Sequence, residues 1–173
     1  MNKIDELIKH VKEADAIIVG AGSGMSNAAG MDFWYSASPL FMKHMKYFYD
    51  KYHFEGIFNG FYTRFDSKEE HWAFMLESLK MILNIPPQKP TYEYLKKLIG
   101  NKPVHFVTTN QDTLFKKFFP SDQVSEIQGS WDYYQASDTS TDQILVQIKN
   151  SIVLKRWLQS YCLKLKIIAY QLN

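Results

Sequence analysis

Cysteine is almost missing from this sequence: Cys162 is the only one among 173 residues. That excludes an intramolecular disulfide and any metal site built wholly or mainly of thiolates, and it fits a reducing, cytoplasmic setting. Long apolar runs are missing too, so no transmembrane helix and no membrane association are expected. Met1 is followed by the polar stretch Asn2-Lys3-Ile4-Asp5-Glu6, which lacks the apolar core of a secretory leader. A strong charge of one sign is absent, since the formal net charge is +2 and the basic residues form no stripe over the first 140 positions. No nucleic-acid partner is expected on that balance.

Acid is absent from one region. Residues 143–173 contain no Asp or Glu but hold Lys149, Lys155, Arg156, Lys164 and Lys166, whereas the preceding part carries all eighteen acids against fifteen basic residues. This change of composition divides the chain into residues 1–142 and a basic tail, 143–173. Ile152, Leu154, Trp157, Leu158, Tyr161, Leu163 and Leu165 of the tail fit no single period. The tail is expected to be a truncated or out-of-frame end, solvated rather than a binding arm. No internal repeat is found.

What remains is 46% hydrophobic, enough for one core. Ile4, Leu7, Ile8 and Val11 recur at helical spacing and predict an amphipathic helix from about Asn2 to Glu13, lying against a sheet. Ala16-Ile17-Ile18-Val19 follows, a short apolar run stopped by glycine, as in a strand buried on both faces. Val104-His105-Phe106-Val107-Thr108 reads as a second such strand and Val124 to Gly129 as a third strand or strand end, with Trp131 to Tyr134 continuing extended.

Between the first two strands, thirteen aromatic residues from Phe33 to Phe65 suggest helices wrapped over a cleft. Ser67 caps a helix running to about Asn84, with Trp72, Met75, Leu76, Leu79, Ile82 and Leu83 as its stripe. Thr91 is expected to cap another, holding Tyr94, Leu95 and Leu98, and a short helix is expected over Gln111 to Phe119. Strand, helices, strand in that order predicts an α/β fold, a Rossmann-like doubly wound parallel sheet with a helical, aromatic-rich insertion, incomplete at its C-terminal end.

Three segments stand where such a sheet places ligands, at strand C-terminal ends. Gly20-Ala21-Gly22-Ser23-Gly24-Met25-Ser26 follows the first strand, and its glycines let backbone approach a bound group closely. Thr108-Thr109-Asn110-Gln111-Asp112 ends the second, and Ile127-Gln128-Gly129 the third. Each has an ordinary alternative. A glycine loop can serve only a tight turn, Asn110 and Asp112 can cap a helix, and Gln128 can bond to backbone at a strand end. His105 reads as a structural histidine, and His44, His53 and His71 have no ligand-like spacing, so no metal site is proposed.

Taken together, Gly20-Ala21-Gly22 with Ser23 and Ser26, then Asp32-Phe33, then Thr108-Thr109-Asn110-Gln111-Asp112, then Gln128-Gly129, resemble the ordered motif set of the sirtuins over about residues 10 to 135. Gln before the glycine, with T-T-N-x-D, is more similar to the microbial, macrodomain-linked class. That resemblance implies an NAD-dependent transferase that releases nicotinamide and passes ADP-ribose to a protein acceptor, a lipoyl-carrier protein in that class. It implies that Gly20, Ala21 and Gly22 cradle the dinucleotide phosphates, with Ser23, Ser26 and Thr109 in the same cofactor-binding set. By the same resemblance Asn110 orients the nicotinamide ribose and a water, and Asp112 holds the carboxamide. Asn110 and Gln128 are the catalytic candidates.

Departures from the family pattern are specific. Gln128 stands where deacetylases have a general-base histidine, and an amide cannot take a proton near neutral pH. Trp34 replaces an arginine, the proline before Asp32 is missing, and Ala136 and Ser140 fall about where zinc-ribbon cysteines begin. Deacylation, NAD hydrolysis with water as acceptor, and a non-catalytic remnant or interaction module remain the alternatives.

Overall fold

The computed structural model describes residues 2–131 together with the short strands Tyr134–Gln135 and Ile144–Leu145. Residues 132–133, 136–143 and 146–173 lie outside the described residues, and with them most of the expected basic tail and the positions of Ala136 and Ser140. The chain divides into two compact units, one of Met1–Met31 with Pro86–Ser130, the other built around Asp32–Ile85.

In the first unit, α1 (Lys3–Glu13) starts where the sequence predicts because Asn2 closes a capping box. Its side chain accepts from the amides of Ile4 and Asp5 at 2.9 and 2.8 Å, and Asp5 reaches back to the Asn2 amide. At the other end Lys102 donates to the carbonyls of Lys12 and Ala14, placing a cation on the negative end of the helix dipole. The expected packing of α1 against a sheet is not observed: none of its residues is buried, and Ile4 is 67% exposed.

Strands β1 (Ile17–Ala21), β2 (Val104–Thr108) and β3 (Val124–Glu126) form a parallel sheet in the order β1-β2-β3. Ile17 pairs with Val104 and Phe106 with Val124. Helices flank this sheet, and the architecture is the Rossmann-like α/β arrangement that the element order predicts. Its packed face centres on fully buried Phe106, over which Phe115 and Phe119 lie with ring centroids at 5.3 and 4.1 Å. The other face differs from expectation. Ile18, in register with His105, is 79% exposed, and His105 is exposed and bonded to Ser125 at 2.9 Å. Burial along β1 alternates between half-buried and exposed instead of being continuous, so only one face of the strand is covered, and that one in part.

Helix α2 (Ser23–Ala28) follows β1, and α6 (Thr91–Ile99) and α7 (Leu114–Phe118) flank β2 in sequence. Thr91 does not cap α6. Pro90 holds that position, and the Thr91 hydroxyl donates to the Ala28 carbonyl at 2.8 Å. The phase of α6 is also rotated from the expected stripe: Tyr92 and Ile99 are buried, whereas Tyr94 and Leu98 face outward.

The second unit contains α3 (Pro39–Tyr52), α4 (Gly56–Gly60) and α5 (Lys68–Asn84). Ser38 and Ser67 cap the two long helices through hydroxyls accepting from Phe41 and Glu70 amides. The expected aromatic density becomes a core around Phe74, whose ring meets Phe48, Phe54 and Phe61 edge-on at 5.5–5.6 Å. Gly60 is required here, since a Cβ would sit 2.2 Å from Phe74 Cζ. Trp72, expected in the stripe of α5, is instead 44% exposed. Nearly buried Glu70 accepts from Tyr47, Lys51 and Tyr52. Burial works against its charge, but the bonds from Lys51 and the two tyrosines outweigh it and hold the carboxyl below the ordinary carboxylate range. Strands β4 (Tyr134–Gln135) and β5 (Ile144–Leu145) pair antiparallel.

Candidate functional site

Within the first unit, the C-terminal ends of β1 and β2 bring two of the three sequence motifs together. The Thr109 amide donates to Ala21 O at 3.2 Å and the Ile127 amide to Thr108 O at 3.0 Å, so the sheet's backbone bonding runs into the loops that carry the motifs. Asn110 is then fixed from both ends. Its amide donates to the Thr108 hydroxyl at 2.9 Å, and its side-chain nitrogen donates to Gly22 O at 2.9 Å and to Ser26 Oγ at 3.0 Å. Ser26 Oγ in turn donates to Asp112 Oδ2, and Asp112 Oδ1 accepts from the Leu114 amide at 3.1 Å.

Ser26, Asn110 and Asp112 are all buried. A buried carboxylate is costly unless neighbours donate to it. Burial raises the Asp112 pKa above the ordinary value, and the Ser26 hydroxyl, the Leu114 amide and the Lys117 charge pull the other way without cancelling it. The expected helix over Gln111 to Phe119 begins only at Leu114. Thr113 before it adopts φ 61°, a left-handed conformation unusual for a β-branched residue, at a cost of roughly 1–2 kcal/mol. Its hydroxyl is buried and unpartnered. The strain sits immediately beside Asp112, as strain often does at functional positions.

The glycines divide into two kinds. A Cβ at Gly22 would lie 3.3 Å from Thr109 Oγ1, so its smallness lets the two loops approach. Gly20 and Gly24 have nothing within 4 Å of a Cβ position, so at these two the absent side chain leaves open space. Ser23 and Thr109 are exposed and Ala21 is half-buried.

Gln128 is not part of the buried network. It is exposed, and its backbone carbonyl accepts from Gln111 Nε2 at 2.9 Å. Asp32 and Phe33 belong to the second unit, where Phe33 is fully buried. Sequence reasoning did not single out Tyr92. It is fully buried against Phe115 and Phe118, and its hydroxyl makes no hydrogen bond of good geometry.

The buried amide, hydroxyl and carboxylate lie near the C-terminal ends of parallel strands, the edge at which open α/β sheets place ligands. No protein-family model matches the chain. Over 130 residues, 73% of its length, the chain is 33% identical to a protein ADP-ribosyltransferase of Staphylococcus aureus. Over 129 residues it is 31% identical to a probable bifunctional ADP-ribose hydrolase/ADP-ribosyltransferase of Fusarium oxysporum f. sp. cubense. The matches span 40% and 21% of those two proteins, so the chain is similar to a part of each, and both are named for handling ADP-ribose. No helix among the described residues is long and apolar enough to cross a membrane.

Proposed function

We propose that the site binds NAD and that the chain is the nucleotide-binding part of a sirtuin-like transferase that passes ADP-ribose to a protein acceptor. The observation carrying this reading is the Asn110–Ser26–Asp112 network, which the Asn110 side chain ties to the Gly22 carbonyl of the glycine loop. The names of the two relatives support ADP-ribose as the transferred group. NAD supplies that group through a bond between nicotinamide and ribose that is weakened by the charge on the ring.

The chain's own residues then act as follows. Gly20, Ala21 and Gly22, with Ser23 and Thr109, form the surface over which the phosphates lie, because no side chain stands in the way at Gly20. Asn110, its side-chain nitrogen pinned by the Gly22 carbonyl and the Ser26 hydroxyl, presents its amide oxygen toward the ribose, where cationic character develops as nicotinamide leaves. Asp112 and Ser26 orient the carboxamide. Gln128 lies apart from the network and cannot act as a base, which favours transfer to an acceptor over deacylation. A lipoyl-carrier protein is the acceptor that the sirtuin resemblance suggests, and the cytoplasm the setting. A second reading, a non-catalytic interaction module, is favoured by the exposed sheet face at Ile18.

The experiment is to incubate the chain with NAD labelled in the adenosine and, separately, in the nicotinamide. Nicotinamide released together with label on protein supports the transferase. Nicotinamide released with free ADP-ribose points to hydrolysis, and no release by a folded chain points to the interaction module.

A further inference from the structure

The third motif sits on a turn that packing does not hold. Ile127 is 63% exposed, and Gln128 and Gly129 are exposed as well. Gly129 takes a positive φ of 87°, which favours glycine, and its amide closes the turn on Glu126 O at 3.2 Å. Polar ties fix the turn instead. At its root the Ile127 amide donates to Thr108 O at 3.0 Å, and Lys116 Nζ pairs with the Glu126 carboxylate at 2.5 Å. At its tip the Gln128 carbonyl accepts from Gln111 Nε2 at 2.9 Å.

Gln111 fills the position that T-T-N-x-D leaves open. Its neighbours Asn110 and Asp112 are buried in the network, whereas Gln111 is half-buried and gives its amide to the other loop. Gln128 is exposed, so water can replace that donor and the bond adds little to stability. Water cannot supply a fixed link. The Gln111 side chain is rooted between two members of the network and ends on the third motif. A residue without a donor at this position would leave the two motifs untied at the tip of the turn.

We propose that Gln111 is a positioning residue that couples these two motifs: when NAD engages Asn110 and Asp112, the peptide between them is fixed, and the Gln111 strap holds the Gln128 turn in place for the acceptor. This rests on the nucleotide reading and deepens it by giving the open motif position a task. Such a tie acts by restricting motion rather than by changing shape. Because the turn is closed in the free chain as well, NAD affinity hardly depends on the strap.

Amide hydrogen exchange at Gly129, whose proton closes the turn, is read by NMR in the full 173-residue chain, and NAD binding is followed by calorimetry. Gln111→Met keeps the length of the side chain and removes the donor. Loss of one ordinary hydrogen bond corresponds to about fivefold in a local opening equilibrium, so Gly129 is expected to exchange about fivefold faster in the free variant than in the free parent. Saturating NAD is expected to slow Gly129 by about a further fivefold in the parent and to leave Gln111→Met unchanged, with the two affinities within about twofold. Gln111→Lys, which restores a donor, should regain the slowing. Equal slowing by NAD in the parent and Gln111→Met overturns the proposal, as does a Gln111→Lys that behaves like Gln111→Met. Loss of NAD affinity in Gln111→Met overturns it too, since Gln111 would then belong to the binding surface. A parent that fails to bind NAD sinks the nucleotide reading and the coupling with it, whereas equal exchange in the free parent and free Gln111→Met removes the strap alone.

Discussion

Replacing Asn110 by alanine removes the donor at the centre of the site. Its side chain spans two loops, donating to Gly22 O at 2.9 Å and to Ser26 Oγ at 3.0 Å. A typical intramolecular hydrogen bond contributes about 1 kcal/mol net, so losing both costs about 2 kcal/mol of folding stability. For a domain of this size that is a fall of about 4–8 °C in melting temperature. The folded population at room temperature survives such a loss if the parent has ordinary stability. The effect on chemistry should be much larger, because removing one preorganised polar group beside a developing charge typically costs about 100- to 1,000-fold in rate. Nicotinamide release at saturating NAD, measured well below both melting transitions, separates the two effects. A rate unchanged in a variant destabilised by the expected amount would refute the role of Asn110, leaving it a loop staple.

Other consequences concern the fold and its charge. Glu70→Gln should cost about 2 kcal/mol at neutral pH, the worth of a hydrogen bond to a charged group. Because the Glu70 pKa is lowered on folding, its contribution is present above the unfolded carboxyl value and lost as pH falls through the folded one. Parent and variant denaturation midpoints should therefore converge below about pH 4. Asp112 has the opposite sign. Its pKa is raised, so the ionised group weighs against folding as pH rises through the folded value, and Asp112→Asn should gain stability relative to the parent toward neutral pH while losing NAD affinity. Parallel stability curves would contradict this. Gly60→Ala drives a methyl into Phe74 and should cost about 1–3 kcal/mol as overpacking, visible in chemical denaturation of the chain.

The fold was legible wherever a local signal settled the matter. Asn2 and Ser67 are cap residues followed by acids, and α1 and α5 begin beside them. The first two strands follow from short apolar runs that end in glycine or a polar motif, whereas the third, Val124–Glu126, carries no such run. What stayed hidden is long-range. Ile17-Ile18-Val19 has no polar residue to show which face is open, so one-sided burial could not be read. Tyr94 and Leu98 sit at helical spacing as plausibly as Tyr92 and Ile99, and the packing of Tyr92 on Phe115 and Phe118 of α7 is not visible in the local sequence. The late start of α7 depends on Thr113 in a left-handed conformation, for which a threonine gives no warning. In the site, Ser26, Asn110 and Asp112 were legible as motif residues, but their mutual bonding joins positions more than eighty residues apart.

The most direct test of the nucleotide reading is a calorimetric titration of NAD into the chain and into Gly20→Val. Nothing lies within 4 Å of the Cβ position at Gly20, and valine suits a strand, so this variant should fold as well as the parent and differ only in the space it fills. The account predicts binding by the parent and its loss, or at least about a 100-fold weakening, in Gly20→Val. Equal binding by both, or none by a folded parent, would contradict it.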